Sequence, residues 1–190
     1  AQSNDKILCE SNNLEIKNNG NLIIGNGNVE IIANNDLLIY SDIAEYDKLD
    51  EKIYLFDNTR IFKNNENIKI SGNKFIYDIK LEIFYSFEKT EIDIKNNYLI
   101  NTSDVKYFIG NDLIKSSLLT VIEDNNGNKF EAESFDYNIN SKIFKSPKLR
   151  VVDINENIFT TNQSIIDFKQ NRLVAKNPEY YFSKNTEFGD

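Results

Sequence analysis

Histidine, tryptophan and methionine are absent from this 190-residue chain, and cysteine occurs once, at Cys9. Without histidine there is no Ser-His-Asp or Cys-His pair and no imidazole zinc site. A single cysteine excludes a thiolate cluster and any disulfide within the chain. The seven glycines form no GxGxxG, GxxxxGKS or GxxxxGKT pattern, which removes the usual phosphate cradles. Positive charge is also in deficit: 22 Lys and Arg stand against 30 Asp and Glu, for a net charge of −8. Such a chain repels nucleic acid, and no local basic stripe overrides the balance. No apolar run reaches the length of a membrane span, and the first residues lack the charged-then-apolar order of a secretory signal. Yet 40% of the residues are hydrophobic, far more than a disordered acidic tail carries. A chain of this length buries a substantial core without metal or disulfide, so one domain over 1–190 is expected, with 1–11 as a flexible lead-in.

What is present favours strands. Ile, Tyr and Phe dominate the apolar set, with 10 Tyr and 13 Phe, and these are β-favouring residues. Leu14-Glu15-Ile16, Lys69-Ile70-Ser71, Glu91 to Ile94 and Phe130 to Phe135 alternate apolar and polar with the period of a half-buried strand. Between such segments stand the asparagine pairs Asn18-Asn19, Asn34-Asn35, Asn64-Asn65, Asn96-Asn97 and Asn125-Asn126. Asparagine accepts the left-handed backbone of tight turns. AT-rich coding also raises Ile, Asn and Lys, but it does not explain where the pairs fall. No window carries a capped helical stripe. The two prolines, Pro147 and Pro178, suit edges or turns. The pattern predicts an all-β chain of about a dozen short strands.

A repeat organises them. Tyr46, Tyr77, Tyr107, Tyr137 and Phe168 stand about thirty residues apart, with Ile16 as a degenerate first member. Four residues before each aromatic lies a polar residue, namely Asp42, Asn73, Ser103, Glu133 or Ser164. Directly after come Asp47, Asp78, Asn138 and Lys169, with Phe108 as the exception, and these open a turn. Some six residues on comes an apolar pair: Ile53-Tyr54, Ile83-Phe84, Leu113-Ile114, Ile143-Phe144 or Leu173-Val174. Each unit therefore reads as strand, polar turn and returning strand. A lone hairpin cannot bury its apolar face, so successive hairpins must stack. Two sheets folded face to face and hinged along the turns satisfy this, with the polar residue before each aromatic marking a bulge or bend. The expected fold is an elongated open β-jelly roll, or two-sheet sandwich, built from hairpin repeats of about thirty residues.

These residues resemble the OstA-like repeat of the LptA family of lipopolysaccharide-transport proteins. In that family a Gly-Asn-Val element ends one hairpin, as Gly27-Asn28-Val29 does here by resemblance. An apolar-x-apolar-x-x-Asp-x-x-x-Tyr-Asp strand then begins the next. Leu37, Ile39, Asp42, Tyr46 and Asp47 match it, as do Ile68, Ile70, Asn73, Tyr77 and Asp78. The later copies are looser, through Ile100, Val105 and Tyr107, then Phe130, Phe135 and Tyr137, then Ile166 and Phe168. The likeness spans roughly residues 12 to 176. It implies a jelly roll opened along one side, whose apolar groove holds the acyl chains of lipopolysaccharide. It implies partners as well: lipopolysaccharide, other OstA-like modules stacked through edge strands, and a C-terminal outer-membrane barrel. Within the family the chain is most like the N-terminal periplasmic domain of LptD, because it ends in mid-pattern at Phe188-Gly189-Asp190 and because Cys9 stands alone before the first strand, where LptD proteins carry cysteines that pair with others in the barrel. A full LptA of similar length is the rival. The implied location is the periplasm, tethered to the outer membrane if a barrel follows.

The groove candidates are Leu37, Ile39 and Tyr46 in the first full copy and Ile68, Ile70, Phe75 and Tyr77 in the second. Ile100 and Tyr107, then Phe130, Phe135 and Tyr137, continue the set. On periodicity alone these are core residues; the resemblance adds contact with lipid. Asp42, Asp47 and Asp78 could pair as catalytic carboxylates, but a repeated Asp after an aromatic is turn chemistry. Glu123 to Asn128 imitates a calcium loop without its downstream glutamate, and reads as a hairpin turn. Cys9 has no base to activate it. The lysines from Lys142 to Lys148 either meet lipid phosphates or form a solvated face. No catalytic residue, metal or cofactor is expected, and the chain reads as a lipopolysaccharide-binding conduit rather than an enzyme. The alternative is a structural or carbohydrate-binding β-solenoid, such as an adhesin fragment, with a filled interior and outward aromatics.

Overall fold

In a computed structural model of the chain, residues 7–33, 37–63, 68–94 and 97–184 are described. Two of the asparagine pairs, Asn34-Asn35 and Asn64-Asn65, and Asn96 of a third fall outside them, as do residues 1–6 and 185–190 with Phe188-Gly189-Asp190. The described residues form strands and two short 3₁₀ turns (Asn18–Gly20 and Ile109–Asn111). The strands are β1 (Leu8–Glu10), β2 (Asn13–Lys17), β3 (Leu22–Ala33), β4 (Leu37–Asp47), β5 (Lys52–Lys63) and β6 (Ile68–Asp78). Shorter segments follow: β7 (Ile83–Ser86), β8 (Thr90–Ile94), β9 (Tyr98–Thr102), β10 (Val105–Phe108), β11 (Leu113–Ser116), β12 (Thr120–Asp124), β13 (Lys129–Ala132) and β14 (Phe135–Asn138). Three long strands close the chain: β15 (Ile143–Val152), β16 (Ile158–Asp167) and β17 (Arg172–Tyr181). The segment expected to be a loose lead-in contains β1, which pairs with β3 through Leu8↔Ile32.

Among the described residues all pairings are antiparallel, and they resolve into twelve bent rungs laid side by side. β6 shows the rule: its second half pairs with β7 and its first half with β8, so β7 and β8 are one rung broken at a corner. By the same test β1 joins β2, β9 joins β10, β11 joins β12, and β13 joins β14. The others are single long strands. Each rung crosses from one sheet (A), which carries the turns near residues 48–51, 79–82, 109–112, 139–142 and 168–171, to a second sheet (B). The sequence expectation of a hinge along the turns is thus corrected: the sheets are joined by strands that bend in mid-course.

The corners explain the sequence. Register slips at Asn26/Val29, Tyr40/Ile43, Phe56/Thr59 and Asn162/Ser164 mark bulges, and a bulge bends its strand and deepens the twist. Asp42 lies in one of these, Ser103 and Glu133 in bends, and Ser164 beside another, so the polar residue before the aromatic does mark the bend. Left-handed backbone occurs here at Gly27, Asn28, Asp57, Asn58, Gln163 and Asn177. Gly27-Asn28-Val29, expected to close a hairpin, instead sits at the corner of β3. Pro147 also occupies a corner, on the central strand β15, where the ladder with β16 skips from Ser146↔Ser164 to Lys148↔Asn162. A missing N–H costs nothing where no ladder bond is made.

Along the inside of the corners runs a row of buried hydroxyls: Ser41, Thr59, Ser86, Thr90, Thr102, Ser116, Thr120, Ser146, Thr161 and Ser164. They bond to one another (Ser41 to Thr59 at 3.0 Å, Thr102 to Ser116 at 2.8 Å, Thr120 to Thr102 at 3.0 Å). They also bond to carbonyls freed by the bend, as in Ser146 Oγ to Lys148 O at 2.7 Å and Thr161 Oγ1 to Lys176 O at 2.6 Å. A buried carbonyl left without a donor costs about 1–3 kcal/mol, and a short hydroxyl supplies that donor without bulk. Among the described residues no buried side-chain polar atom lacks a partner.

Candidate functional site

Two side-chain rows line the interior, one per sheet, and each crosses all twelve rungs. In the A sheet the row runs Ile16, Ile23, Tyr46, Ile53, Tyr77 and Phe84, each the cross-strand partner of the next. It continues through Tyr107, Ile114, Tyr137, Phe144, Ile166 and Leu173. The repeat is thereby explained: Ile16, Tyr46, Tyr77, Tyr107, Tyr137 and Ile166 recur every 29 to 31 residues, and each pairs with the residue seven places on. The last member is Ile166, not Phe168. Phe168 N donates to Lys142 O just as Ile139 N donates to Asp112 O and Ile109 N to Glu82 O, so Phe168 is a turn residue whose ring folds inward. The Asx residue of that copy is accordingly Asp167, which accepts from Lys169 N at 2.9 Å. Asp47 and Asp78 do the same for Leu49 N and Leu81 N, each at 2.9 Å. These carboxylates hold turns.

In the B sheet the row is Cys9, Ile31, Ile39, Ile61, Ile70, Ile92, Ile100, Ile122, Phe130, Val151, Phe159 and Tyr180. Seven consecutive isoleucines form a flat aliphatic stripe opposite the aromatic one, because branched side chains suit a pleated surface. Sequence reasoning found Ile39, Ile70, Ile100 and Phe130 from every second rung. It missed their partners Ile31, Ile61, Ile92 and Ile122, although the same thirty-residue spacing carries them.

All twelve groove candidates face this interior. Leu37, Ile39, Ile68, Ile70, Phe75, Tyr77, Ile100, Tyr107, Phe135 and Tyr137 are buried, while Tyr46 and Phe130 pack against the same core half-covered. Tyr77 and Phe84 stack with centroids 4.4 Å apart, and Phe135 and Phe144 at 5.0 Å. Over the middle rungs the space is filled: Ile39, Ile92, Ile100, Ile114 and Ile122 are each 0% exposed. No open groove runs there.

Towards the C-terminal rungs the packing loosens. Phe130, Val151 and Phe159 are half-buried, and Tyr180 is 63% exposed. At the other end Ile16 is 64% exposed. Both rows therefore reach solvent at both ends of the stack. Opposite the corners, the lips of the two sheets are tied by Lys63 of β5 to Asp112, and by Tyr98 of β9, whose hydroxyl donates to Asn171 Oδ1 at 3.0 Å. The Tyr98 ring also stacks on Phe168 at 4.0 Å. Burial, with Asp124 nearby, pushes the Tyr98 phenol up. Beside it lies a cavity of about 460 Å³ between the lips.

The calcium-like loop is a turn: Asp124 accepts from Asn126 N, Asn128 N and Asn128 Nδ2. Asp153 and Asn157 repeat that arrangement one hairpin later. Cys9 ends the isoleucine row at the edge, and burial with Glu10 beside it pushes its thiol up, away from the reactive thiolate.

No family model matches the chain, and no curated protein matches its sequence. Among solved structures, the chain is similar to LptH of Pseudomonas aeruginosa, described as the LptA homologous periplasmic component of the conserved lipopolysaccharide transport device. The two share 12% identity at a TM-score of 0.30, over 74% of this chain and 81% of that one.

Proposed function

We propose that this chain is a lipopolysaccharide-binding conduit module of the periplasm, whose interior takes acyl chains and which performs no catalysis. The observation that carries the reading is the pair of unbroken apolar rows running end to end through all twelve rungs and surfacing at both ends. The OstA-like repeat residues fall on those rows at Ile39, Tyr46, Ile70 and Tyr77. An alkyl chain needs area rather than chemistry: about 0.8 kcal/mol accrues per buried methylene.

The rung count supports stacking of modules. Twelve is even, so β17 runs from sheet A to sheet B and β1/β2 runs from B to A. A second copy placed end to end continues the antiparallel alternation, with Leu173 beside Ile16 of the next module. Among the described residues the outer sides of β1, β2 and β17 have no strand partner, which invites strand addition. Self-association that rises with concentration, and that Leu173→Lys abolishes, is the expected result of analytical ultracentrifugation. A wild-type monomer at high concentration overturns the stacking. An LptD-type chain would pair Cys9 with a cysteine of its barrel, and mass spectrometry of disulfide-linked peptides from the native protein reads that pairing.

The conduit itself is tested by photoreactive residues at Phe159 and Ile100, with outward Lys69 as control, in the presence of purified lipopolysaccharide. Crosslinks at the inward sites alone support it. Two observations favour a second reading, a structural or carbohydrate-binding solenoid: the middle interior is packed, and the rings of Tyr85 and the exposed Phe87 stack with centroids 6.3 Å apart. A folded protein that crosslinks nowhere but is retained on a polysaccharide column selects that reading.

A further inference from the structure

The cavity between the lips joins two kinds of surface. Its floor is apolar, made by Phe130, Ile166, Phe168 and Leu173, and three of these are members of the interior rows. Its rim is polar and includes Lys169, Arg172, Asn171 and Asp124. Lys169 and Arg172 are exposed and take part in no salt bridge of the described structure. Asp124 is the one acidic residue lining the cavity, and its oxygens are occupied by its own turn; Asp167, the cross-strand partner of Arg172, lies outside the lining and accepts from Lys169 N and Gln170 N in its own turn. The cavity lining therefore carries two cations against one anion in a chain of net charge −8. Tyr98 spans the opening, tied to Asn171 and stacked on Phe168.

We infer that this cavity is a side port through which the alkyl chain of an anionic amphiphile passes between solvent and the interior, with Lys169 and Arg172 holding the anionic head. The inference rests on the chain-binding reading above and adds a place, a headgroup charge and a gate to it. The port lies where the B row is half-covered, so a chain entering here meets accessible Phe130, Val151 and Phe159 before the packed isoleucines. An arginine with a neighbouring lysine recognises a phosphate by charge-assisted hydrogen bonds. The Tyr98 tie is one neutral hydrogen bond and one ring contact, weak enough to open without disturbing the buried hydroxyl row at the corners.

The test uses the full chain and three probes in titration calorimetry below their micelle concentrations: dodecyl phosphate, dodecyl maltoside and inorganic phosphate. Dodecyl phosphate is expected to bind more tightly than dodecyl maltoside, and inorganic phosphate not to bind. The double variant Lys169→Gln/Arg172→Gln should weaken dodecyl phosphate about tenfold and leave dodecyl maltoside unchanged. Tyr98→Phe, which keeps the ring and loses the tie to Asn171, should speed both association and release in stopped flow. Dodecyl phosphate binding that the double variant does not alter overturns the port while the conduit stands. Inorganic phosphate binding as tightly as dodecyl phosphate reduces the rim to a free-anion site and overturns the port. Failure of both amphiphiles to bind wild-type protein removes the conduit and the port together.

Discussion

Ile100→Ala asks whether the middle of the interior is solid. Ile100 is 0% exposed, lies mid-row between Ile92 and Ile122, and so has neighbours on both strands. Truncation removes three carbons, and at about 0.8 kcal/mol per buried methylene the transfer loss is about 2.4 kcal/mol. The hole adds to this, because rungs paired on both sides collapse little, and comparable truncations cost about 2–5 kcal/mol. An expectation of about 3–4 kcal/mol corresponds, for a chain of this length, to a melting point lower by about 6–16 °C. Val151→Ala in the same row is the control: it removes two carbons from a half-covered side chain and should cost about 1 kcal/mol or less. Both are read by thermal melts followed by circular dichroism, with urea titrations for the free energies. If Ile100→Ala melts within about 2 °C of wild type, the row has slack in mid-stack and the packed interior described here is wrong.

Two further perturbations address the corners. Thr120→Val keeps shape but removes a hydroxyl that donates to Leu118 O at 3.0 Å and bonds Thr102; a loss of about 1–3 kcal/mol in urea titration is expected, and a neutral result would mean the hydroxyl row does not hold the bend. Asp104 provides a pH signature: burial pushes its carboxyl up, but hydrogen bonds from Ser116, Ser117 and Leu118 outweigh this and hold it below the usual value. A folded-state depression stabilises above the unfolded pKa, about 3.9, and that stabilisation is lost as pH falls through the folded value. The melting-point gap between wild type and Asp104→Asn should therefore be present at neutral pH and shrink in acid; a gap independent of pH refutes the assignment.

How much of this was legible depended on which interaction wrote the pattern. The turns of sheet A were readable because all but the one after Tyr107 carry an Asx residue directly after the row member, at Asp47, Asp78, Asn138 and Asp167, while a left-handed residue stands before the return strand at Glu51, Glu82, Asp112, Lys142 and Asn171. The aromatic row was readable because tyrosine is rare enough to stand out at a fixed spacing. Its last copy was misplaced by two residues since Ile166 fills the slot and the nearby Phe168 drew the eye. The isoleucine row was only half found, because isoleucine is common in this chain and marks no position by itself. Of the corner hydroxyls only Ser164 stood out: serine and threonine in a strand pattern signal an exposed face as readily as a buried bend, and only the carbonyls freed by bulging decide. The strand segment Phe130 to Phe135 reads as continuous alternation, yet it turns a corner at Glu133-Ser134, since the pleat resumes on the other sheet with its apolar face still inward.

The filled middle and the loose C-terminal end together set a direction on any lipid path. A dodecyl chain entering at the port gains about 0.8 kcal/mol per methylene it buries, and against Phe130, Val151 and Phe159 it displaces nothing but water. Past Ile122 each further step must move a side chain at 2% exposure or less, from Ile100 through Ile31, and parting close-packed walls forfeits contacts on both sheets before the chain replaces them. Occupancy should therefore fall stepwise from the C-terminal rungs inward in an isolated module. Photoreactive residues at Phe159, Val151, Ile122, Ile92 and Ile61, exposed to dodecyl phosphate, should label in that decreasing order. A module stacked on a second copy has its end rows continued rather than capped by water, so stacking should extend labelling from Phe159 into the neighbour before it extends past Ile122. Equal labelling along the row would mean that the sheets part as a unit at the tied lips. In that case Lys63 and Asp112, not the port, would govern entry, and Lys63→Ala would raise labelling at every position alike.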